Sequence, residues 1–176
     1  QKELKSFNTS STFESVFYIF LKQGDLVLTR TDINFGIRQY YESSYTYSDL
    51  QYDDWYRRTL GTYHQREIGR TNVTGTSADA ERKALYLTYT QSLPFGSGGS
   101  NMGAIVVLIK ADGINKLLMD VDESGTGYTY ILDQDGKLVT GVANKGDGVF
   151  PDIRLDADGS NGFGYEKING EDMAVI

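Results

Sequence analysis

Two apolar, β-rich runs open the pattern of the chain, Phe17-Tyr-Ile-Phe-Leu21 and Leu26-Val-Leu-Thr29. Between them Lys22-Gln-Gly-Asp25 supplies turn residues, with a glycine where positive φ is needed, and the set predicts a β-hairpin. A tyrosine-rich stretch of mixed periodicity follows over 34–61. In its second part Ser48 stands at an N-cap position, acids come early and arginines late. Leu50, Trp55, Tyr56 and Leu60 recur near helical spacing and Gly61 is a natural stop, so a helix is predicted over 48–60.

Residues 82–93 alternate as a strand should, with Leu85, Leu87 and Tyr89 on one face and Tyr86 and Thr88 on the other. A glycine-rich loop, 95–101, leads into the continuous apolar run 103–109, the mark of a strand buried on both faces. Ile114, Leu117 and Leu118 then begin a short helix. Tyr128-Thr-Tyr-Ile-Leu132, the turn Asp133-Gln-Asp-Gly136 and Lys137-Leu-Val139 predict a second hairpin. Strands over 163–168 and 173–176 flank Asn169-Gly170. Hairpin, helix, two strands, helix, then hairpin and strands again is the order of an α+β fold. It implies two related modules, the second incomplete, each an antiparallel sheet with flanking helices.

Composition narrows the function. The 176 residues include 13 Tyr and 8 Phe, enough to bury a core. A net charge of −7 and a pI near 4.7 argue against nucleic acid, which needs a cationic face. The absence of Cys removes disulfides, thiolate catalysis and zinc–thiolate sites, and suits a bacterial surface protein. No run approaches the roughly 20 apolar residues that cross a bilayer, and Gln1 to Asn8 is too polar for a signal peptide. The ending on Asp172-Met-Ala-Val-Ile176 reads as the middle of a strand, so an excised fragment is expected.

Several of these residues match a family. Gly127-Tyr-Thr-Tyr-Ile-Leu-Asp-Gln-Asp-Gly-Lys-Leu-Val139 resembles the first hairpin of the membrane-proximal module in bacterial Cache sensor domains, which are PAS-like and in the double form stand in tandem. Gly103-Ala-Ile-Val-Val-Leu-Ile109 with residues 114–118 is similar to the family's last distal strand and linker helix. Asp54-Trp-Tyr56 is similar to the Trp-Tyr pair that opens the distal pocket helix. The likeness covers most of the chain from Val16 onward. It implies the end of an N-terminal helix at 1–15, a membrane-distal module at 16–119 and an incomplete membrane-proximal module at 120–176.

The resemblance further implies an extracytoplasmic receptor domain held between two membrane-spanning helices, with no enzymatic activity and no cofactor. A small molecule bound in the distal module would shift those helices and alter a cytoplasmic output. The tyrosine-rich distal half and Leu93-Pro94 before the glycine-rich loop are most similar to Gram-positive sensors, which feed a histidine kinase or an AraC-type DNA-binding domain. A homodimer through the N-terminal helix is the arrangement usual in the family.

The same resemblance assigns ligand contacts to Asp53, Trp55, Tyr56, Arg66, Tyr86 and Thr88. Aromatics with polar tips suit such a pocket, although Trp55, Tyr56 and Tyr86 equally suit packing of a helix on a sheet. One departure bears on the ligand. The branch that binds free α-amino acids has Arg two residues before the Trp-Tyr pair and Asp in the last distal strand; here those positions hold Asp53 and Leu108. The bidentate partner for a ligand carboxylate and the acceptor for its ammonium are both missing. A standard amino acid is disfavoured, and a pocket-facing Asp53 would suit a cation or a polyhydroxylated ligand.

Other motifs carry less. His64, the only histidine, has no Ser or Cys partner nearby and receives no role. Asp120-Val-Asp-Glu-Ser-Gly125 imitates a calcium loop, but Ile131 stands where a bidentate Glu should close it, and no metal site is assigned. Asp152, Asp156 and Asp158 read as a solvated acidic loop. Gly96-Ser-Gly-Gly-Ser100 lacks the Gly-Lys-Ser/Thr ending of a phosphate loop. Two alternatives to a sensor stand beside it. A glycan-acting hydrolase would need paired carboxylates about 5–10 Å apart, and a structural surface domain would need neither ligand nor pocket.

Overall fold

A computed structural model of the chain describes residues 15–47, 50–75, 83–95, 101–121, 128–133 and 135–143, and the strands at 164–168 and 171–175 by their backbone. It is α+β and divides into two compact units, Gln1–Leu117 and Leu118–Ile176. The helix expected at the N-terminus, the calcium-loop imitation, the acidic loop and the glycine-rich loop tip lie wholly or mostly outside the described residues. Ser15, assigned from sequence to the end of that helix, instead opens a strand, because its backbone pairs with Ile109.

The first unit is built on one antiparallel sheet. Its strands are β1 (Ser15–Leu21), β2 (Leu26–Leu28), β3 (Ile33–Phe35), β4 (Tyr45–Tyr47), β5 (Glu67–Gly75), β6 (Lys83–Leu93) and β7 (Gly103–Lys110). Their order in space is β3-β2-β1-β7-β6-β5-β4. The β1–β2 hairpin forms as its turn residues predict, with Gly24 at φ 89° and Asp25 also in the left-handed region at φ 51°. The last long strand, β7, inserts between β1 and β6, so the central strands come from distant parts of the sequence.

Register decides which side chains share a face. Tyr18 opposes Val106 and Phe20 opposes Ala104, while Thr88 opposes Leu108 across the next pair. Val27, Tyr18, Phe20, Ala104, Val106 and Leu108 therefore form one apolar face, and all six are buried. The run 103–109 was expected to be buried on both sides. Instead Ala104, Val106 and Leu108 are fully buried while Ile105, Val107 and Ile109 remain half-buried, because the helices cover the first of these faces. The alternation expected for β6 holds, with Tyr86 directed to the core side.

The tyrosine-rich stretch becomes two short helices with the edge strand β4 between them. Helix α1 (Ile37–Ser44) was hidden by the mixed periodicity. Its start is fixed from outside: Gly36 turns at φ 83°, and the Ile37 amide donates to Asp25 Oδ1 at 2.9 Å. The helix predicted over 48–60 is shorter, α2 (Tyr52–Tyr56), and runs on into a π-helical turn, Arg57–Gly61. A π turn brings residues five apart onto one side, and Trp55 and Leu60, five apart, are both buried against the sheet. Residue 51 takes the N-cap, without a side-chain hydrogen bond. The carbonyls left open at the end of the π turn are met by side chains. Lys22 Nζ donates to Leu60 O at 3.1 Å, and Asn101 Nδ2 donates to the carbonyls of Leu60 and Thr62 at 2.9 and 2.7 Å.

The second unit contains two separate two-stranded antiparallel sheets, β8 (Tyr128–Leu132) with β9 (Leu138–Ala143) and β10 (Gly164–Ile168) with β11 (Glu171–Val175). In the first of these Gly136 takes φ 74°, and Asp133 Oδ1 accepts from the amides of Asp135 and Lys137 at 2.9 Å each. The sequence predicted a hairpin turn there, and these bonds make it an Asx turn. Helix α3 (Ala111–Val121) follows β7 without a loop.

The fold makes one sharp demand. A Cβ built on Gly103 would stand 2.0 Å from the Phe20 carbonyl oxygen, where β7 starts against β1. Gly103→Ala must therefore push two central strands apart, and we expect a loss of about 1–3 kcal/mol in urea unfolding. An unchanged midpoint would show that the strands do not meet this closely.

Candidate functional site

A concavity on the helical side lies between α1 and α2. On α1, Ile37 and Tyr41 turn inward, four residues apart, and Arg38 and Glu42 turn outward by the same spacing. On α2, Trp55 turns inward while Asp53 stays exposed. Tyr41 ties the two helices together. Its ring lies 4.8 Å from Trp55 and 5.6 Å from Tyr52, and its hydroxyl donates to Leu50 O at 2.5 Å. The cleft that remains has a volume of about 200 Å³ and is lined by Arg38, Tyr41, Glu42, Leu50, Tyr52 and Asp53.

Charge in this cleft is organised around one guanidinium. Arg38 Nη2 donates to Asp53 Oδ1 at 2.5 Å, Nη1 stands 3.6 Å from Glu42 Oε1, and Cζ lies 4.1 Å from the Tyr52 ring centroid. Desolvation, with the neighbouring Tyr56, raises the Tyr52 phenol above its ordinary value; Arg38 opposes the rise, and Asp25 and Asp53 add to it. The phenol is therefore a neutral hydrogen-bonding group at physiological pH.

The residues expected to contact ligand divide into three groups. Trp55 is 2% exposed and sits in the core, 5.0 Å from Phe20, with Tyr56 and Tyr86 packed against the same cluster. Thr88 lies on this helix-covered face of the sheet, and its hydroxyl donates to Thr71 Oγ1 at 2.6 Å. Asp53 lines the outer cleft. Arg66 is exposed at the entry to β5, held in the left-handed region at φ 63°. Leu108, at the position where the amino-acid branch has an acid, is fully buried on the apolar face.

Two groups escaped sequence reasoning. Arg38 and Tyr52 lie on separate helices and are joined only by the fold, so no spacing announced them. His64 is buried: Nδ1 is 2.6 Å from Glu67 Oε2 and Nε2 is 2.5 Å from Arg58 O. Its amide donates to Ser92 Oγ at 2.9 Å, and its carbonyl accepts from the Ser92 amide at 2.9 Å and from Gln91 Nε2 at 3.2 Å. His64 thus fastens the π turn to β5 and β6. Only the i,i+3 pairing with Glu67 was visible in the sequence.

Among the described residues no three His, Asp or Glu side chains gather as a metal site, and no helix is long and apolar enough to cross a membrane. Compared with known proteins, the chain matches no family model, no curated protein and no solved structure. The class the geometry defines is an antiparallel α+β module with a small polar cleft on its helical side.

Two outcomes follow. Arg38 and Asp53 are both more than half exposed, so their pair is screened by solvent and Asp53→Asn should change unfolding stability by less than about 1 kcal/mol; a larger loss would mean that the pair holds the helices together. For Tyr52, a folded value above the usual phenol value of about 10 means that the unfolded chain gives up its proton first, and stability falls as pH rises beyond that point. Urea midpoints at about pH 9 and pH 11 should fall more in the native chain than in Tyr52→Phe. Equal falls would contradict the assignment.

Proposed function

We propose that this chain is the extracytoplasmic, ligand-sensing part of a bacterial transmembrane receptor, a double sensor of the Cache type with PAS-like modules. The observation that carries the reading is the order of the five long or central strands, β2-β1-β7-β6-β5, with the helix pair on one face. An opening hairpin placed beside the last strand, with helices gathered on one side, is compatible with a PAS-like module. The resemblance puts the ligand in the distal module beside the Trp-Tyr helix, and a cleft lined by Arg38, Tyr52 and Asp53 next to that helix supports the reading. The motif likeness over residues 103–118 and 127–139 and the two-unit division of the chain support the tandem arrangement.

In this reading the chain is a binding and signalling module and not an enzyme. A small ligand reaches the first unit, and membrane helices flanking the chain carry the change to a histidine kinase or an AraC-type regulator. Asp53 and Leu108 in place of the amino-acid pattern direct the search away from free α-amino acids.

The test is thermal melting of the chain against a broad metabolite library. A ligand that binds only the folded state raises the melting temperature with the logarithm of its concentration once Kd is exceeded, adding about 2.7 kcal/mol at a hundredfold excess over Kd. A concentration-dependent rise for one chemical class supports a sensor. Flat melting across the library would contradict it, and turnover of a library glycoside would replace it with a hydrolase.

A further inference from the structure

We propose that the cleft between α1 and α2 is a cation-binding site, that the chain's own Arg38 is its resident occupant, and that a small guanidinium or quaternary ammonium ligand competes with Arg38 for it. This rests on reading the chain as a ligand sensor and names the class of ligand.

Arg38 displays the geometry that such a ligand takes. A planar cation is stacked 4.1 Å from the centroid of an aromatic ring while a carboxylate accepts its hydrogen bond at 2.5 Å. Those are the two devices that recognise organic cations, a π face and a fixed anion. The second carboxylate, Glu42, stands 3.6 Å from the other nitrogen, so two acids surround one guanidinium. Asp25, which caps α1, also acts on Tyr52. The local balance thus stays negative with Arg38 in place and favours a further cation. The Tyr52 ring that forms the floor cannot swing away freely, because Tyr41, Trp55 and Tyr56 all pack on it, with centroids 5.6 to 5.9 Å apart. The cleft of about 200 Å³ beside it has room for a few heavy atoms.

Displacing Arg38 is cheap. Its side chain is 55% exposed and Asp53 is 76% exposed, so the released guanidinium goes directly into water. An exposed ion pair and an exposed cation–π contact are each weak. A packed aromatic floor with an exposed, weakly held internal cation above it suits a site that exchanges one cation for another. Exchange would also be felt by the fold, since Arg38 belongs to α1 while Tyr52 and Asp53 belong to α2.

The experiment uses the whole chain and follows Trp55 fluorescence and calorimetric heat with three probes, methylguanidinium, tetramethylammonium and neutral N-methylurea. Native chain and Arg38→Ala are compared first. Removing the internal competitor should tighten both cations about tenfold and leave methylurea unbound. In the Arg38→Ala background, Asp53→Asn should weaken the cations by about tenfold again. Tyr52→Phe, which keeps the ring, should preserve binding that Tyr52→Leu loses; circular dichroism confirms that each variant is folded.

Cations that bind Arg38→Ala no more tightly than the native chain, or that ignore Asp53→Asn, would reduce the cluster to a surface ion pair and overturn the proposal. A neutral or anionic metabolite that raises the melting temperature while both cations are silent would also overturn it, leaving the sensor reading intact. Silence from every class would remove both.

Discussion

Trp55 is held between the Phe20 ring of the sheet, at 5.0 Å, and the Tyr41 ring of α1, at 4.8 Å, and the helical layer hangs on that wedge. Helix α2 has only five residues, far too few to persist by its own hydrogen bonds. Burying a ring of this size removes about 150–250 Å² from water, worth about 4–6 kcal/mol at about 25 cal/mol per Å². The π turn adds Leu60 to the same contact, and Asp25 sets where α1 begins. The sheet supplies the matching surface because register brings Tyr18, Phe20, Ala104, Val106 and Leu108 onto one side.

From that wedge the cleft follows as a consequence. With Trp55 and Tyr41 turned inward, helical geometry turns Arg38, Glu42 and Asp53 outward toward one another, and Tyr52 is left between core and solvent. The far end of the segment is fastened by Lys22, Asn101 and His64. A ligand acting at the cleft therefore acts on a short element anchored at both ends, close to the largest aromatic cluster of the described residues.

The hairpins were legible because glycine and aspartate at Gly24, Asp25, Asp133 and Gly136 carry turn chemistry that needs no tertiary context. Of the long strands, β6 and β7 were legible through alternation and an apolar run, while β5 was not, because Glu67–Gly75 is largely polar and carries neither signal. The burial of β7 on one face only was not, because an apolar run says nothing about which side the helices take. Helix α1 escaped because its cap, Asp25, lies twelve residues upstream of Ile37. The π turn escaped because a five-residue interval between buried side chains belongs to neither helix nor strand periodicity. Asp53 was singled out through the resemblance, two residues before Trp55, yet its partner Arg38, fifteen residues away, could be found only once the chain was folded.

As a ligand sensor, the chain would meet its small molecule at the helical layer pinned by Trp55. Amide chemical-shift mapping of the isotopically labelled chain, titrated with whichever compound stabilises it, addresses that directly. Saturable shifts should concentrate in residues 37–44 and 50–61 and in the strand positions beneath them. Shifts confined to residues 128–143, or to the outer edge at residues 33–35, with the helical layer unmoved, would contradict it.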